Sequence, residues 1–123
     1  MKHVLLVVAL LAGAPACLPP SYLPAAPPQM MTVQLPEAPD AAYLHARQAV
    51  TAMGGRIFSH DATLRVAFAQ VPGTVVLHIA VIPDQTGAEV LVTAHVMSDH
   101  PTGDAGRELR AYVALLRRSA ARE

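Results

Sequence analysis

The sequence has little of what most enzymes and disulfide-stabilised proteins need. Its 123 residues include one cysteine, Cys17, so the chain cannot form an intramolecular disulfide. It contains no HExxH, GxSxG or CxxC motif and no glycine-rich phosphate-binding loop. Nine basic and nine acidic residues balance, which leaves no basic excess for binding nucleic acid or anionic lipid. The sequence therefore predicts a non-enzyme with no cofactor and no nucleic-acid partner.

Residues 1–16 have the layout of a secretory signal peptide. Lys2 precedes a short apolar run, which ends in small residues that are typical of a cleavage site. The run is much shorter than the roughly 20 apolar residues that a transmembrane helix needs. We therefore expect the chain to be exported and residues 1–16 to be removed.

The motif Ala14-Pro15-Ala16-Cys17 resembles the lipobox of bacterial lipoproteins, in which the cysteine is acylated and becomes the new N-terminus. The resemblance implies a palmitate-type lipid anchor on Cys17, and two or more acyl chains hold a protein stably at a membrane. Leu18 follows the cysteine, where an aspartate commonly retains such lipoproteins at the inner membrane. The resemblance thus implies an outer-membrane lipoprotein that faces the periplasm.

A second interpretation of the same motif leads to a different location. Ala14 stands where the lipoprotein family usually has leucine, and Ala14-Pro15-Ala16 is also an A-x-A site for the general signal peptidase. Cleavage of that kind would release a soluble secreted or periplasmic protein instead of a lipid-anchored one.

The segment 17–39 is predicted to be the lipidated cysteine with a proline-rich tether. Seven prolines between residues 18 and 39 exclude a regular helix or a central strand there. An extended tether of this length would reach roughly 60–70 Å at about 3.1 Å per residue. The stretch 29–35 contains no proline and can dock on the domain as an edge strand.

Residues 40–123 have the pattern of one small α+β domain. Asp40 is a suitable N-cap for a helix through Met53, and Gly54-Gly55 ends that helix. Four strands are predicted near 56–59, 63–71, 74–82 and 88–97. A closing helix follows at about 104–120, with Asp104 or Thr102 as its cap. The apolar side of the first helix comprises Tyr43, Leu44, Ala46, Val50 and Met53, and that of the second comprises Ala105, Leu109, Tyr112, Val113 and Leu116.

Two turns define the predicted strand register. A two-residue turn at Pro72-Gly73 places Phe68 opposite Leu77, and a four-residue turn at 84–87 places Leu77 opposite Ala94. The fold predicted from them is a two-layer α+β sandwich of order α-β-β-β-β-α, a four-stranded antiparallel meander with both helices on one face. Its core face comprises Leu64, Val66, Phe68, Leu77, Ile79, Val81, Val90, Val92 and Val96.

This pattern resembles short bacterial envelope lipoproteins that end in an α-β-β-β-β-α domain of unknown function. The stretch 49–57, Ala-Val-Thr-Ala-Met-Gly-Gly-Arg-Ile, is similar to the helix-to-strand junction of that group. The stretch 103–109, Gly-Asp-Ala-Gly-Arg-Glu-Leu, is similar to the start of its closing helix. The resemblance implies the fold and the envelope location, and it implies no catalytic residue.

The opposite face of the predicted sheet is unusually apolar. It would carry Ala67, Ala69, Val76, Ala80, Ile82 and Leu91, interrupted by Arg65, His78, Thr93 and His95. The outward positions of an exposed sheet normally carry polar residues. An apolar outer face therefore indicates either a contact surface or a face that another part of the same chain covers, for example residues 29–35. The candidate interaction face is Val76, His78, Ala80, Leu91, Thr93 and His95.

His78 and His95 are also the only candidates for a metal site. They are diagonal neighbours on adjacent strands, and Asp99 or His100 could add a ligand. Zinc needs three or four ligands, so two half-exposed histidines without a metal are the favoured interpretation. His45, His60 and Asp61 are predicted to be solvated, as are Arg117, Arg118 and Arg122 near the end of the last helix.

The function predicted from these features is that of a lipid-anchored envelope protein acting as a non-catalytic interaction or structural module. Its partners would be the membrane, through Cys17, and an envelope protein or a second copy, through the outer sheet face. The alternative is an envelope protein that binds a small ligand or a metal through His78 and His95. A small hydrolase is disfavoured because the sequence contains no nucleophile motif.

Overall fold

The computed structural model of the protein describes residues 28–97 and 104–121. The predicted signal peptide (residues 1–16), Cys17, Asp99, His100, Thr102 and Arg122 lie outside these residues. The described part is an α+β sandwich with two helices and one antiparallel sheet of five strands, in spatial order β1-β5-β4-β3-β2. The elements along the chain are β1 (Gln29–Leu35), α1 (Pro39–Ala52), β2 (Arg56–Asp61), β3 (Val66–Val71), β4 (Val75–Asp84), β5 (Gly87–Val96) and α2 (Ala105–Ala121).

The fifth strand, β1, lies inside the segment that was assigned to the tether. It pairs antiparallel with β5 over seven consecutive residues, from Gln29 opposite Ala94 to Leu35 opposite Ala88. The prediction of an edge strand at 29–35 is therefore confirmed, and the sheet has one strand more than the four-stranded meander. The order of the described elements is β-α-β-β-β-β-α.

Helix α1 begins one residue before the predicted cap. Ala38 is the N-cap, without a side-chain hydrogen bond, and Pro39 occupies the first turn, where its fixed φ suits a helix start. Asp40 lies inside that turn, and its Oδ1 accepts a hydrogen bond from Nε of Arg65 at 2.8 Å. The prediction of Asp40 as the cap is therefore wrong.

The end of α1 is as predicted. Gly54 has a φ of +79°, a left-handed conformation that glycine adopts without strain. Its N–H donates to the carbonyl of Thr51 at 3.0 Å, and the N–H of Gly55 donates to that of Val50 at 2.9 Å. These two bonds form a Schellman motif, which satisfies carbonyls that the helix leaves unpaired.

The buried side of α1 is formed largely by small residues. Ala42, Ala46 and Ala49 recur at helical spacing and are fully buried, whereas Leu44 is 51% exposed. The prediction of Leu44 as a core residue is therefore wrong, because the alanine stripe decides which side of the helix packs on the rest of the fold. Tyr43 and Val50 are buried as predicted.

Helix α2 matches its prediction closely. Oδ1 of Asp104 accepts the backbone N–H of Gly106 at 2.9 Å, so Asp104 is a side-chain cap. The predicted apolar stripe, Ala105, Leu109, Tyr112, Val113 and Leu116, comprises all five buried residues of the helix. Tyr112 also donates its hydroxyl to the carbonyl of Ala46 at 2.7 Å, which joins the two helices, and burial raises its pKa well above the ordinary value.

The two long hairpins differ in how well their registers were predicted. Between β4 and β5 the structure pairs Leu77 with Ala94 and Ile79 with Val92, as expected. Between β3 and β4 it pairs Phe68 with His78, not with Leu77, which is a slip of one residue.

The slip arises in the turn between β3 and β4. Val71 pairs with Val75, so the loop has three residues, and two of them have positive φ, Gly73 at 84° and Thr74 at 61°. A two-residue Pro-Gly turn would have a twist that suits a tight hairpin poorly, and the additional residue relieves that mismatch.

Because side chains alternate along a strand, this slip exchanges the faces of β3. Ala67 and Ala69 are fully buried in the core, and Phe68 is 38% exposed on the other side. Val66 accompanies Phe68 on that side. Leu64 is 67% exposed in the turn between β2 and β3, where Oδ1 of Asp61 accepts its backbone N–H at 3.1 Å. The predictions that placed Leu64, Val66 and Phe68 in the core were therefore wrong. The predictions that placed Ala67 and Ala69 on the outer face were wrong for the same reason.

The core lies between the two helices and the inner face of the sheet. On that inner face, the strands contribute Val33, Leu35, Ala67, Ala69, Val71, Val75, Leu77, Ile79, Val81, Ala88, Val90, Val92, Ala94 and Val96. Most of these side chains are aliphatic and fully buried, which is the environment in which apolar burial stabilises a fold most.

Candidate interaction face

The outer face of the sheet lies opposite the helices. Three cross-strand pairs form its centre, Val76 with His95, His78 with Thr93 and Ala80 with Leu91. These are the six residues of the predicted interaction face, and the structure brings all of them together as half-buried side chains. The surrounding outward residues are Met30, Thr32, Val66, Phe68, Gln70, Ile82 and Glu89.

A row of aromatic rings crosses this face. The ring of His78 stacks on Phe68 with centroids 4.5 Å apart and an interplanar angle of 14°. Phe68 is tilted against Phe58, with centroids 6.3 Å apart. Phe58 comes from β2, where the pairing register shifts between Ile57 and Ser59. The row therefore joins three strands and leaves two phenylalanines substantially exposed.

This aromatic row was missed in the sequence. The register assigned to the Pro72-Gly73 turn placed Phe68 in the core, where it could not contact His78. Two features of the sequence could have revealed it. Pro-Gly favours a turn whose twist suits a two-residue hairpin poorly, and the alternating Ala67 and Ala69 fit a crowded inner face better than two larger side chains.

The outer face has no cover within the part of the chain that the structure describes. Both helices pack on the inner face, and β1 extends the sheet at its edge instead of crossing it. The alternative interpretation of this apolar face was cover from within, with residues 29–35 as the example, and the structure contradicts that example. Met30 lies on the outer face at 65% exposure, next to Thr93.

The structure brings no metal-ligand set to the two histidines. Among residues 28–97 and 104–121, no group of three or more His, Cys, Asp and Glu side chains could hold a metal ion. His78 and His95 belong to neighbouring pairs of the β4–β5 ladder, and the ring of His78 is engaged in the stack with Phe68. The chemistry that this arrangement offers is apolar and aromatic contact, with ring nitrogens and a threonine hydroxyl as hydrogen-bonding groups.

Two further histidines within the described residues, His45 and His60, lie away from the centre of this face. His45 was predicted to be solvated, and this is wrong, since it is 4% exposed and its Nδ1 lies 2.8 Å from Oε1 of Glu37. That contact fixes the connection from β1 to α1. His60 and Asp61 are exposed, as expected, and so are Arg117 and Arg118.

Two shallow clefts in the described part of the chain lie at the margins of the sheet. One, of about 350 Å³, is next to the end of α2 and includes Leu35, Pro36 and Arg117. The other, of about 270 Å³, surrounds the β4–β5 turn and includes Asp84 and Glu89. Neither contains a histidine or a cysteine, and the carboxylates among their lining residues are Asp84 and Glu89 at the β4–β5 turn.

Neither helix of the described residues is long and apolar enough to cross a lipid bilayer. Comparison of the chain with protein-family models, with curated proteins and with solved structures gave no significant match. Proposals on function therefore depend on the sequence and on the geometry of the outer face.

Proposed function

We propose that the protein is a lipid-anchored component of a bacterial cell envelope whose domain is a non-catalytic interaction module. The outer face of the sheet is its contact surface. The observation that carries the proposal is the composition of that face, where apolar and aromatic side chains stand at positions that an exposed antiparallel sheet normally gives to polar residues.

The chemistry of the outer face suits a protein surface better than a small ligand. Val76, Ala80 and Leu91 form an apolar centre on two adjacent strands, and none of them lines the two clefts described above, whereas small ligands usually bind in enclosed clefts. His78 and Thr93 add hydrogen-bonding groups at that centre. An apolar centre with a few polar groups and aromatic rings is typical of the buried part of a protein–protein interface.

The proposed membrane anchor is a lipid attached to Cys17. The lipobox-like motif and the absence of a second cysteine support acylation there. Since β1 begins at Gln29, the chain between Cys17 and the domain spans at most roughly 40 Å, at about 3.3–3.6 Å per residue. This would hold the domain closer to the membrane than the 60–70 Å expected from the whole proline-rich segment. Mass spectrometry of the mature N-terminus tests the anchor, and an unacylated N-terminus would contradict it.

The contact surface is tested by placing charges on it. Val76→Glu combined with Ala80→Glu adds two carboxylates to the centre of the outer face, so burying them against a partner would carry a large desolvation cost. We expect the complex that is captured by cross-linking the anchored protein to be lost. The matched control is Leu44→Glu combined with Gln48→Glu, on the exposed side of α1, which should leave the complex intact.

Circular dichroism and thermal unfolding must show that both double variants remain folded. A complex that survives the two outer-face charges in a folded domain would contradict the proposal. Loss of the complex in the α1 control as well would place the contact elsewhere.

A further inference from the structure

The two edges of the sheet differ in how they are protected against pairing with another strand. Natural edge strands usually carry charges, prolines or bulges that prevent such pairing. Edge strand β2 has these features, with Arg56, His60 and Asp61 and an irregular register around Phe58. Edge strand β1 reads Gln-Met-Met-Thr-Val-Gln-Leu, without a charge or a proline, and pairs regularly with β5 along its whole length.

In an antiparallel sheet, the backbone N–H and C=O groups of successive residues point alternately to one neighbouring strand and to the other. This alternation identifies the backbone groups of β1 that point away from β5. The N–H of Met97 donates to the carbonyl of Thr74 at 3.3 Å, next to the pair of Val75 with Val96. Odd-numbered residues of β5 therefore bond β4, and even-numbered ones bond β1. By the β1–β5 register, the N–H and C=O groups of Met30, Thr32 and Gln34 point to the free edge.

No strand within residues 28–97 and 104–121 pairs with these three residues. Pro28 and Pro36 flank them and occupy the next two positions that point to the edge. Neither proline has an N–H to donate, so a ladder on this edge ends at both. Thr32 lies midway between the two prolines, and the edge is therefore symmetric about Thr32.

We infer that β1 pairs antiparallel with β1 of a second copy of this chain, about a two-fold axis between their Thr32 residues. This register places Met30 of one copy opposite Gln34 of the other, and it keeps Met31 and Val33 together on the inner side. A slip by one residue would set inner side chains opposite outer ones. A slip by two would bring a proline into the ladder and lose hydrogen bonds.

The pairing joins the five strands of each copy into one continuous sheet of ten. The two outer faces then form one extended surface on the same side of that sheet. An isologous two-fold contact of this kind is the commonest symmetry of homo-oligomers. This dimer is inferred from the β1 edge alone. It would double the contact surface of the proposed function.

The test measures self-association of the full chain by sedimentation velocity over a range of concentrations. We expect a concentration-dependent dimer. Thr32→Pro removes a donor that points to the free edge and costs no hydrogen bond to β5, so the chain should fold and become monomeric. Thr32→Val keeps the backbone donor and a β-branched side chain, and it should remain dimeric.

A charge exchange tests the symmetry axis itself. Thr32→Lys and Thr32→Glu chains should each dimerise about tenfold more weakly or worse, because the axis sets like charges directly opposite each other. An equimolar mixture of the two should recover the dimer. This experiment decides the question even if Thr32→Pro fails to fold.

A monomer at all concentrations, a dimer that persists in folded Thr32→Pro, or a mixture that fails to recover would overturn the inference. The outer-face variant Val76→Glu with Ala80→Glu should keep this dimer. If that variant becomes monomeric while Thr32→Pro stays dimeric, the outer face joins the copies and the edge does not. A dimer with the predicted Thr32 behaviour and no outer-face complex would leave the edge inference standing without the proposed function.

Discussion

The two faces of the sheet are built on the same strands, and they differ in what their side chains do. On β4, Leu77 and Ile79 point inward and are fully buried beneath the helices. Their neighbours His78 and Ala80 point outward and remain half-buried. The inner face is buried against the helices. The outer face carries apolar and aromatic side chains that no other described element covers. This difference separates the residues that stabilise the domain from those that are available for contact.

The largest effect is expected from truncating an inner side chain. Leu77→Ala leaves a cavity in a fully buried site and should lower the free energy of unfolding by about 2–5 kcal/mol. The matched control is Ile82→Ala on the same strand, where the side chain is 46% exposed on the outer face, and it should cost less than about 1 kcal/mol. Urea unfolding measures both, and equal losses would remove the distinction between the faces.

A smaller effect is expected at the hydroxyl that links the helices above the inner face. Tyr112→Phe removes the hydrogen bond to Ala46, so the free energy of unfolding should fall by about 0.5–1.5 kcal/mol at neutral pH. Burial raises the pKa of Tyr112 above the ordinary value of 10.0, and a tyrosine in the unfolded chain ionises near that value. The stabilisation is therefore complete below pH 10 and declines as the pH rises further.

The dependence of the free energy of unfolding on pH provides a second check on the role of Tyr112. One such group contributes up to about 1.4 kcal/mol per pH unit above pH 10, and Tyr112→Phe should remove this contribution. Tyr43→Phe should change the slope less. The pKa of Tyr43 is also raised by burial, but Arg47 opposes the shift. An unchanged alkaline slope in Tyr112→Phe would contradict the role assigned to its burial.

An effect on stability of similar size is expected from the aromatic row. Phe68→Ala breaks the stack with His78, and an aromatic pair contributes about 0.5–1.5 kcal/mol, so the domain should stay folded. Association through the outer face should nevertheless weaken strongly, because aromatic side chains dominate many interfaces. Phe68→Tyr keeps a stacked ring at the same position and serves as the control. Unfolding and capture of the complex are measured on the same samples.

The sequence predicted those elements whose signals agree with one another. The β4–β5 register and the α2 stripe follow from alternation and helical spacing, and both are confirmed. The β3–β4 register depended on the length of one turn, which Thr74 in a left-handed conformation changes by a residue. Since alternation has a period of two, that single residue moved Phe68 from the predicted core to the outer face.

Other features depend on contacts between distant residues, and local patterns cannot reveal them. His45 looks solvated on a helix, and its burial depends on Glu37, eight residues earlier and outside the helix. The alanine stripe of α1 is weakly apolar by itself and becomes decisive only when α2 packs against it. The six residues of the interaction face were placed together because they lie on β4 and β5, whose register was predicted correctly.

The most direct test of the outer face as a contact surface is site-specific photo-cross-linking in intact cells. A photoreactive residue at Thr93, on the outer face, is compared with one at Gln48, on the exposed side of α1. We expect a discrete adduct from position 93 that disappears when Val76→Glu and Ala80→Glu are added, and no adduct from position 48. An adduct at position 93 that is unaffected by the two charges, or equal adducts from both positions, would contradict the assignment of the outer face as the contact surface.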